Sequence, residues 1–275
     1  MRVLVTGGAG GFGRALVPRL ANRGYTVRIL SRRPAPAGIT TEWSQADIES
    51  GVGLAAALAG VDVVVHAASS PAKHTRQIDV EGTRRLLQSA RAAEVAHFAY
   101  ISIVGIDQIP YAYYRHKLAA EALVAESRLP WSILRATQFY TLIHSILHRA
   151  DQLPLMLLPT DLQFQPIDVG EAAERMAEVV DAGPAGRLAD IGGPAVLMLG
   201  ALARDWMQAL RRRRRIVYLP MPGAFAAALR QGRNTCPEQR YGRITWADWL
   251  RKTYDDRPTT EDEGRTTRNQ QTTGY

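Results

Sequence analysis

Tyr113 and Lys117 stand four residues apart in a run, Tyr113 to Ser127, whose pattern predicts a helix. At that spacing the two side chains share one helical face. A free phenol loses its proton near pH 10 and exchanges protons poorly at neutral pH. An ammonium beside it stabilises the phenolate and is expected to draw that value down, which suits an acid/base. Ser102 ends a strand-like run, His97 to Ser102, just ahead of this helix, where its hydroxyl can hold a carbonyl. Ser102, Tyr113 and Lys117 are therefore the candidate catalytic set for reducing a carbonyl. Tyr-x-x-x-Lys also arises by chance, and Tyr111 and Tyr114 are rivals, Tyr114 lying three residues from Lys117.

Such a set needs a hydride donor, and the chain begins with a place for one. The strand-like Arg2 to Thr6 runs into Thr6-Gly7-Gly8-Ala9-Gly10-Gly11-Phe12-Gly13 and then into a predicted helix, Gly11 to Arg23. Gly7, Gly10 and Gly13 are spaced Gly-x-x-Gly-x-x-Gly. One glycine permits a tight turn, one lets a pyrophosphate approach the backbone, and one lets helix and strand pack closely. The N–H groups at the helix start favour phosphate, and strand-loop-helix is the context such a motif requires. The next strand ends Leu30-Ser31-Arg32-Arg33, without the carboxylate that would bind the 2′-hydroxyl of NAD. A hydroxyl and two planar guanidiniums suit a 2′-phosphate, so NADP(H) is favoured over NAD(H).

The elements that must position these residues alternate along the first half. Strand-like runs at Arg2 to Thr6, Tyr25 to Ser31, Glu42 to Gln45, Val61 to Ala67, His97 to Ser102 and Trp131 to Arg135 are separated by predicted helices. These lie at Gly11 to Arg23, Val52 to Ala59, Asp79 to Ala93 and Tyr113 to Ser127. That order predicts parallel strands with helical crossovers, an α/β, Rossmann-type doubly wound sheet. Past Arg135 the pattern loosens. Helices are expected at Gln138 to Arg149, at Val169 to Asp181 with Asp168 near its start, and at Leu199 to Leu210. Residues 1–254 are expected to form one domain whose small C-terminal substrate cap comes mainly from 138–165 and 184–254. Trp246 and Trp249 should anchor the last helix, and the polar residues 255–275 are expected to be a disordered tail.

Composition narrows the setting. Among 275 residues, 46% are hydrophobic and 22% charged, which argues against a disordered or fibrous chain. Cys236 alone excludes an internal disulfide or a multi-cysteine metal site, and no metal is expected. The helically spaced pair His144 and His148 lacks a third ligand. No apolar run is long enough to span a bilayer, and no signal-peptide pattern opens the sequence. A cytoplasmic protein without a membrane partner is the expectation. The net charge of +8 comes almost wholly from scattered arginines, since Lys73, Lys117 and Lys252 are the only lysines. The cluster Arg211 to Arg215 follows a predicted helix and is read as solvating its end, so a nucleic-acid partner is not expected. A homo-oligomer stays open. Phe139, Tyr140, Met156, Leu157, Leu158 and Phe164 suggest a small hydrophobic or aromatic substrate.

Further motifs join the glycine loop: Asp79-Val80-Glu81-Gly82-Thr83, Tyr100-Ile101-Ser102-Ile103-Val104-Gly105, Tyr113-Tyr114-Arg115-His116-Lys117, Leu134-Arg135-Ala136-Thr137-Gln138-Phe139 and Pro166-Ile167-Asp168-Val169. With them the chain resembles the short-chain dehydrogenase/reductase superfamily, in its atypical, NmrA-like branch of NAD(P)-binding proteins. The resemblance covers all but the tail. It implies that Asp47 and Ile48 flank the adenine and that His66-Ala67-Ala68-Ser69 line the cofactor ribose. It also implies that Lys117 holds the nicotinamide ribose, Tyr113 is the acid/base and Ser102 supports the substrate. Thr137 to Tyr140, with Gln138, Phe139 and Tyr140 as substrate-binding residues, would line the nicotinamide and substrate pocket. Many members of this branch lack a full Ser-Tyr-Lys set, and some bind NADP as redox-sensing regulators. This chain keeps all three, which favours an enzyme over a sensor.

Overall fold

The computed structural model describes residues 1–71 and 73–254; the tail expected to be disordered, 255–275, lies outside the described residues. The first half alternates as its sequence predicts: β1 (Arg2–Thr6), α1 (Gly11–Asn22), β2 (Thr26–Ser31), β3 (Glu42–Gln45), α2 (Leu54–Leu58) and β4 (Val63–His66). A wide π-helical turn (Arg76–Gly82) then leads into α3 (Thr83–Ala92), β5 (His97–Ile103), α4 (Ala112–Ala125) and β6 (Trp131–Ala136). After it come α5 (Tyr140–Asp151), β7 (Met156–Leu158), β8 (Gln163–Phe164), α6 (Val169–Ala182), β9 (Gly186–Arg187), β10 (Leu197–Met198), α7 (Leu199–Ala209), β11 (Ile216–Tyr218), α8 (Ala224–Arg230) and α9 (Trp246–Tyr254).

Seven strands form a parallel sheet in the order β3-β2-β1-β4-β5-β6-β9. This is a Rossmann-like α/β fold. Connections run outward in opposite directions from β1 and β4, so a crevice opens beyond their C-terminal ends, where ligands of such sheets bind. The strands are apolar on both faces because both are covered. Val3, Val5, Val63, Val65 and Leu134 pack with α1 and α6 on one side. Leu4, Val64, Phe98, Tyr100 and Ile133 pack with α2, α3 and α4 on the other. Asp168 caps α6, its side chain accepting from the N–H groups of Gly170 and Glu171.

A third core belongs to the C-terminal lobe. Tyr140, Ile143, Leu147, Met156, Leu158, Trp206, Ala226 and Trp246 fill it, and α5, α7, α8 and α9 enclose it. Trp246 anchors α9, being buried in this core with its indole donating to the Leu202 carbonyl at 3.0 Å. The lobe's boundary differs from the expected one. Residues from 184 do not begin a cap: Gly186–Arg187 add the seventh strand to the main sheet, a pairing too short for any periodicity to announce. The apolar residues that suggested a hydrophobic substrate also serve differently. Tyr140, Met156, Leu158 and Phe164 are buried in the lobe's own core, while Leu157 faces outward.

Arginines fasten these parts. Arg135 on β6 is buried and clamps Glu121 of α4 through two bonds of 2.8 and 2.6 Å, with Asp107 at 3.1 Å. Arg214 binds the Asp151 carboxylate at 3.1 Å and the Pro154 carbonyl at 2.7 Å, pinning the end of α5. One member of the Arg211–Arg215 run is thus a structural tie rather than a solvated charge. Glu121→Ala would leave the buried Arg135 guanidinium to Asp107 alone and should lower unfolding stability by about 3 kcal/mol, measured in urea.

Candidate cofactor groove and active site

The crevice beyond β1 and β4 is a groove of about 260 Å³ lined by Gly7, Ala9, Gly10, Leu30, Ser31, Arg32, Ala46, Asp47, Ile48, Ala67, Ala68, Ser69, Ser70 and Ile78. Its shape depends on missing side chains. A Cβ on Gly7, whose φ is +68°, would come within 2.8 Å of the Ala67 and Ala68 backbone, and one on Gly13 within 2.3 Å of the Gly7 carbonyl. The loop therefore folds under the start of α1, where Gly10 is the N-cap and no side chain caps the helix. Its first-turn N–H groups are left for an acceptor that is not a side chain. These features fit a dinucleotide with its pyrophosphate at the loop.

The expected cofactor residues divide. Gly7, Gly10, Ser31, Arg32, Asp47, Ile48, Ala67, Ala68 and Ser69 line the groove. Asp47 is the one carboxylate among the lining residues, and its oxygens already accept from Glu49 N–H and Ser50 Oγ. Gly11 is exposed at the helix start, and Gly13 acts through the close packing just described. Arg33 lies outside the lining and contributes its carbonyl to the Trp43 indole at 2.9 Å. The Phe12 ring is placed elsewhere, while its N–H belongs to the first turn of α1. It stacks on Phe139 at 5.9 Å under the loop, so a residue expected at the cofactor and one expected at the substrate pack against each other.

Thr6 turns out to organise the floor. Its Oγ1 accepts from the N–H groups of Ala67 and Ala68, both at 3.2 Å, and therefore donates to His66 Nδ1 at 2.7 Å. His66 Nε2 then donates to Thr83 Oγ1 at 2.9 Å, and Thr83 donates to the Asp79 carbonyl. Burial, with the Lys117 ammonium adding to it, holds the His66 imidazole neutral, its pKa brought down to about 3. The π-helical turn carries Asp79, which the sequence pattern had assigned to a regular helix. Within this turn and the start of α3, Asp79, Val80, Gly82 and Thr83 are all buried.

Asp79 reaches the catalytic candidates through Ser69. Its carboxylate accepts from Ser69 Oγ at 2.5 Å and Ser70 N–H at 3.2 Å. Tyr113 Oη lies 2.7 Å from the same Ser69 oxygen. Since Ser69 donates to the carboxylate, Tyr113 donates to Ser69. Lys117 is buried, with Nζ donating to the Ile101 carbonyl at 3.0 Å and lying 4.1 Å over the Tyr100 ring. The expected lowering of the phenol is not what this arrangement provides: burial pushes Tyr113 well above its ordinary range, the Ser69 bond only partly opposing it. Tyr114 is likewise raised by burial, to about 12. Ser102 is buried on β5, and its hydroxyl has no hydrogen-bond partner among the described residues.

The expected substrate residues also separate. Gln138 is buried, takes a bond from Asn234 at 3.2 Å, and leaves its Nε2 without a partner among the described residues. Tyr140 is turned away into the lobe, its hydroxyl donating to the Ile244 carbonyl at 2.8 Å. An aromatic cluster stands closer, built on the rival Tyr111, its ring 6.2 Å from Tyr113, 5.4 Å from Tyr114 and 5.3 Å from Phe225 of α8. Phe225 comes from the far end of the chain, so no local pattern could have announced it. Cys236, its thiol raised to about 12 by burial, is not an activated nucleophile.

Residues 7–142 match the family described as NAD(P)H-binding. That match covers just under half of the chain. It is 30% identical over 147 residues to the Photosystem II assembly factor Ycf39 of Synechocystis sp., covering 50% of this chain and 45% of that protein. It is 39% identical over 115 residues to the 3 beta-hydroxysteroid dehydrogenase/Delta 5→4-isomerase of Mycobacterium tuberculosis, covering 37% of this chain and 31% of that protein. The chain thus spans less than half the length of these curated relatives. Among solved structures, the NADPH-dependent quinone oxidoreductase QOR2 from Escherichia coli superposes with a TM-score of 0.74 over 92% of this chain and 99% of its own, at 18% identity. A short-chain dehydrogenase/reductase superfamily protein from Agrobacterium tumefaciens with bound NAD superposes with a TM-score of 0.69, covering 98% and 99%, at 23% identity. At such identities the likeness establishes the Rossmann-like fold alone.

Lys117 gives the domain a pH signature. Burial brings its ammonium down from 10.5 to about 8, against the opposing pull of Asp79 and Glu121. Between those values the unfolded chain holds more protons at this position, so stability rises with pH across the window. The wild type should gain on Lys117→Met by about 3 kcal/mol as the pH climbs from 8 to 10.5, read from denaturant unfolding at each pH.

Proposed function

We propose that the protein is an NADPH-dependent reductase that delivers hydride to a carbonyl, quinone or related apolar electrophile. One observation supports this reading: the Tyr113 hydroxyl lies 2.7 Å from Ser69 Oγ, and Ser69 lines the groove beside the glycine loop. When bound, the cofactor supplies the hydride. Tyr113 supplies the proton, and its raised pKa suits that direction, because the phenol stays protonated until a developing alkoxide takes the proton. Ser102, with its unengaged hydroxyl, would hold the substrate oxygen. Lys117, on the same helical face but held on the Ile101 carbonyl, would act on the remaining phenolate only through its charge at a distance. Tyr111, Tyr114 and Phe225 offer an apolar wall that favours an aromatic or otherwise hydrophobic substrate.

Preference for the 2′-phosphate rests on Ser31 and Arg32, which line the groove where β2 ends, and on the engaged state of Asp47. Arg32→Ala should weaken NADPH binding roughly 10- to 100-fold, the worth of a charged hydrogen bond, and leave NADH binding unchanged in titration calorimetry.

A second reading, a protein that binds NADP(H) without turning it over and acts through a partner, is favoured by the matches to Ycf39, an assembly factor by name. Following NADPH oxidation with quinones, aromatic ketones and aldehydes separates the two. The reductase reading expects turnover that falls at least about 100-fold in Tyr113→Phe while NADPH affinity holds. Tight NADPH binding without turnover across the panel would favour the second reading, and full activity in Tyr113→Phe would remove Tyr113 from the mechanism.

A further inference from the structure

We propose that the end of the C-terminal lobe formed by β7, β11 and the arginines before β11 docks on an anionic lipid membrane. β7 and β11 pair in parallel, with Met156 opposite Ile216, Leu157 opposite Val217 and Leu158 opposite Tyr218. One side of this ribbon is core, since Met156 and Leu158 are buried in the lobe. Leu157 points the other way, and Leu153, Leu155 and Leu219 flank it, each 43–52% exposed. They form one surface. Arg214 grips the Leu153 and Pro154 carbonyls, and Leu219 N–H donates to the Leu158 carbonyl at 2.9 Å.

Exposed arginines lead directly into β11, the strand paired with Leu157. Arg211, Arg212, Arg213 and Arg215 are all exposed, and Arg211, Arg213 and Arg215 form no ion pair among the described residues. The nearby carboxylates are spent: Asp151 is buried against Arg214, and Asp161 is held by Arg230 at 2.5 Å and by Tyr218. Aliphatic side chains that enter the headgroup boundary, beside cations that meet its phosphates, are the two halves of peripheral membrane binding. A single-stranded nucleic acid would look for aromatic platforms, and the patch's one exposed aromatic, Tyr218, is tied to Asp161. A protein interface would clear charge from its apolar centre, whereas here the two are interleaved. The expectation of no membrane partner rested on the lack of a spanning segment, and among the described residues no helix is long and apolar enough to cross a membrane. Docking on a surface needs none.

The test uses the full chain and co-sedimentation with vesicles of phosphatidylcholine alone or mixed with phosphatidylglycerol, at low and high salt. Binding to the mixed vesicles alone, weakened by salt, is expected. The double variant Arg213→Glu/Arg215→Glu should weaken it at least about tenfold. Leu155→Ser/Leu157→Ser should weaken it too, with both variants melting at the wild-type temperature because the altered side chains are exposed. Three results would overturn the proposal: no wild-type binding to the anionic vesicles, binding that neither double variant weakens, or tighter binding to DNA or RNA that the leucine substitutions leave intact. None of these outcomes depends on turnover, so the proposal stands or falls apart from the reductase reading.

Discussion

A buried chain of hydrogen bonds, from Thr6 through His66 and Thr83 to Asp79, holds the ligand end of the sheet in register. Each link fixes the direction of the next. Thr6 accepts two backbone N–H groups and must donate to His66, which must then be neutral and donate onward to Thr83. Protonated imidazole would break that order, and burial makes it costly. The chain ties β1 and β4 to the π-helical turn. The glycine loop, the Ala67–Ser70 wall and the Asp79 carboxylate therefore come as one unit.

Tyr113 depends on this unit more than on its own helix. Sharing a helical face brings Tyr113 and Lys117 onto one side, but the long lysine side chain reaches to β5 and settles on the Ile101 carbonyl and the Tyr100 ring. Its charge is partly spent there, offsetting its own desolvation. Tyr113 is oriented instead by Ser69, and Ser69 by Asp79. The phenol is thus set by a carboxylate from a different crossover, and its proton is retained rather than released.

What the sequence made legible was whatever the backbone itself dictates. Gly7 and Gly13 are required by contacts under 3 Å, so the loop declares itself in residue type. The alternation of apolar runs and helical patterns likewise prescribes a parallel sheet with one ligand crevice. Side-chain destinations were less legible. Phe12 and Phe139 suited ligand contacts by position, yet two large rings on neighbouring segments gain more by stacking. Tyr140 follows Phe139 immediately but lies on the other side of the chain, in the lobe's core. Asp79 stood in a motif without a role, because the groups its carboxylate holds, Ser69 and Ser70, lie on another segment. Phe225 and the two-residue β9 were hidden because their partners are distant in sequence and they have no pattern of their own.

The two halves of the molecule also differ in what they tolerate. The groove is lined largely by glycine, alanine and serine, and its phosphate end offers backbone N–H groups, so dinucleotide binding draws on few distinctive side chains. Proton transfer, in contrast, would rest on one hydroxyl held by Ser69, which Asp79 holds in turn. Substitutions at Tyr113, Ser69 or Ser102 could therefore end chemistry without closing the groove. That separation gives a physical reason why one fold can serve both oxidoreductases and proteins that keep a nucleotide for other ends. In this chain the Tyr113–Ser69–Asp79 arrangement is intact and internally consistent, and Ser102 is left unengaged. A chain that used the nucleotide only as a tether would have no need to keep a phenol, a serine and a buried carboxylate in that order, and this is why the reductase reading is the stronger of the two.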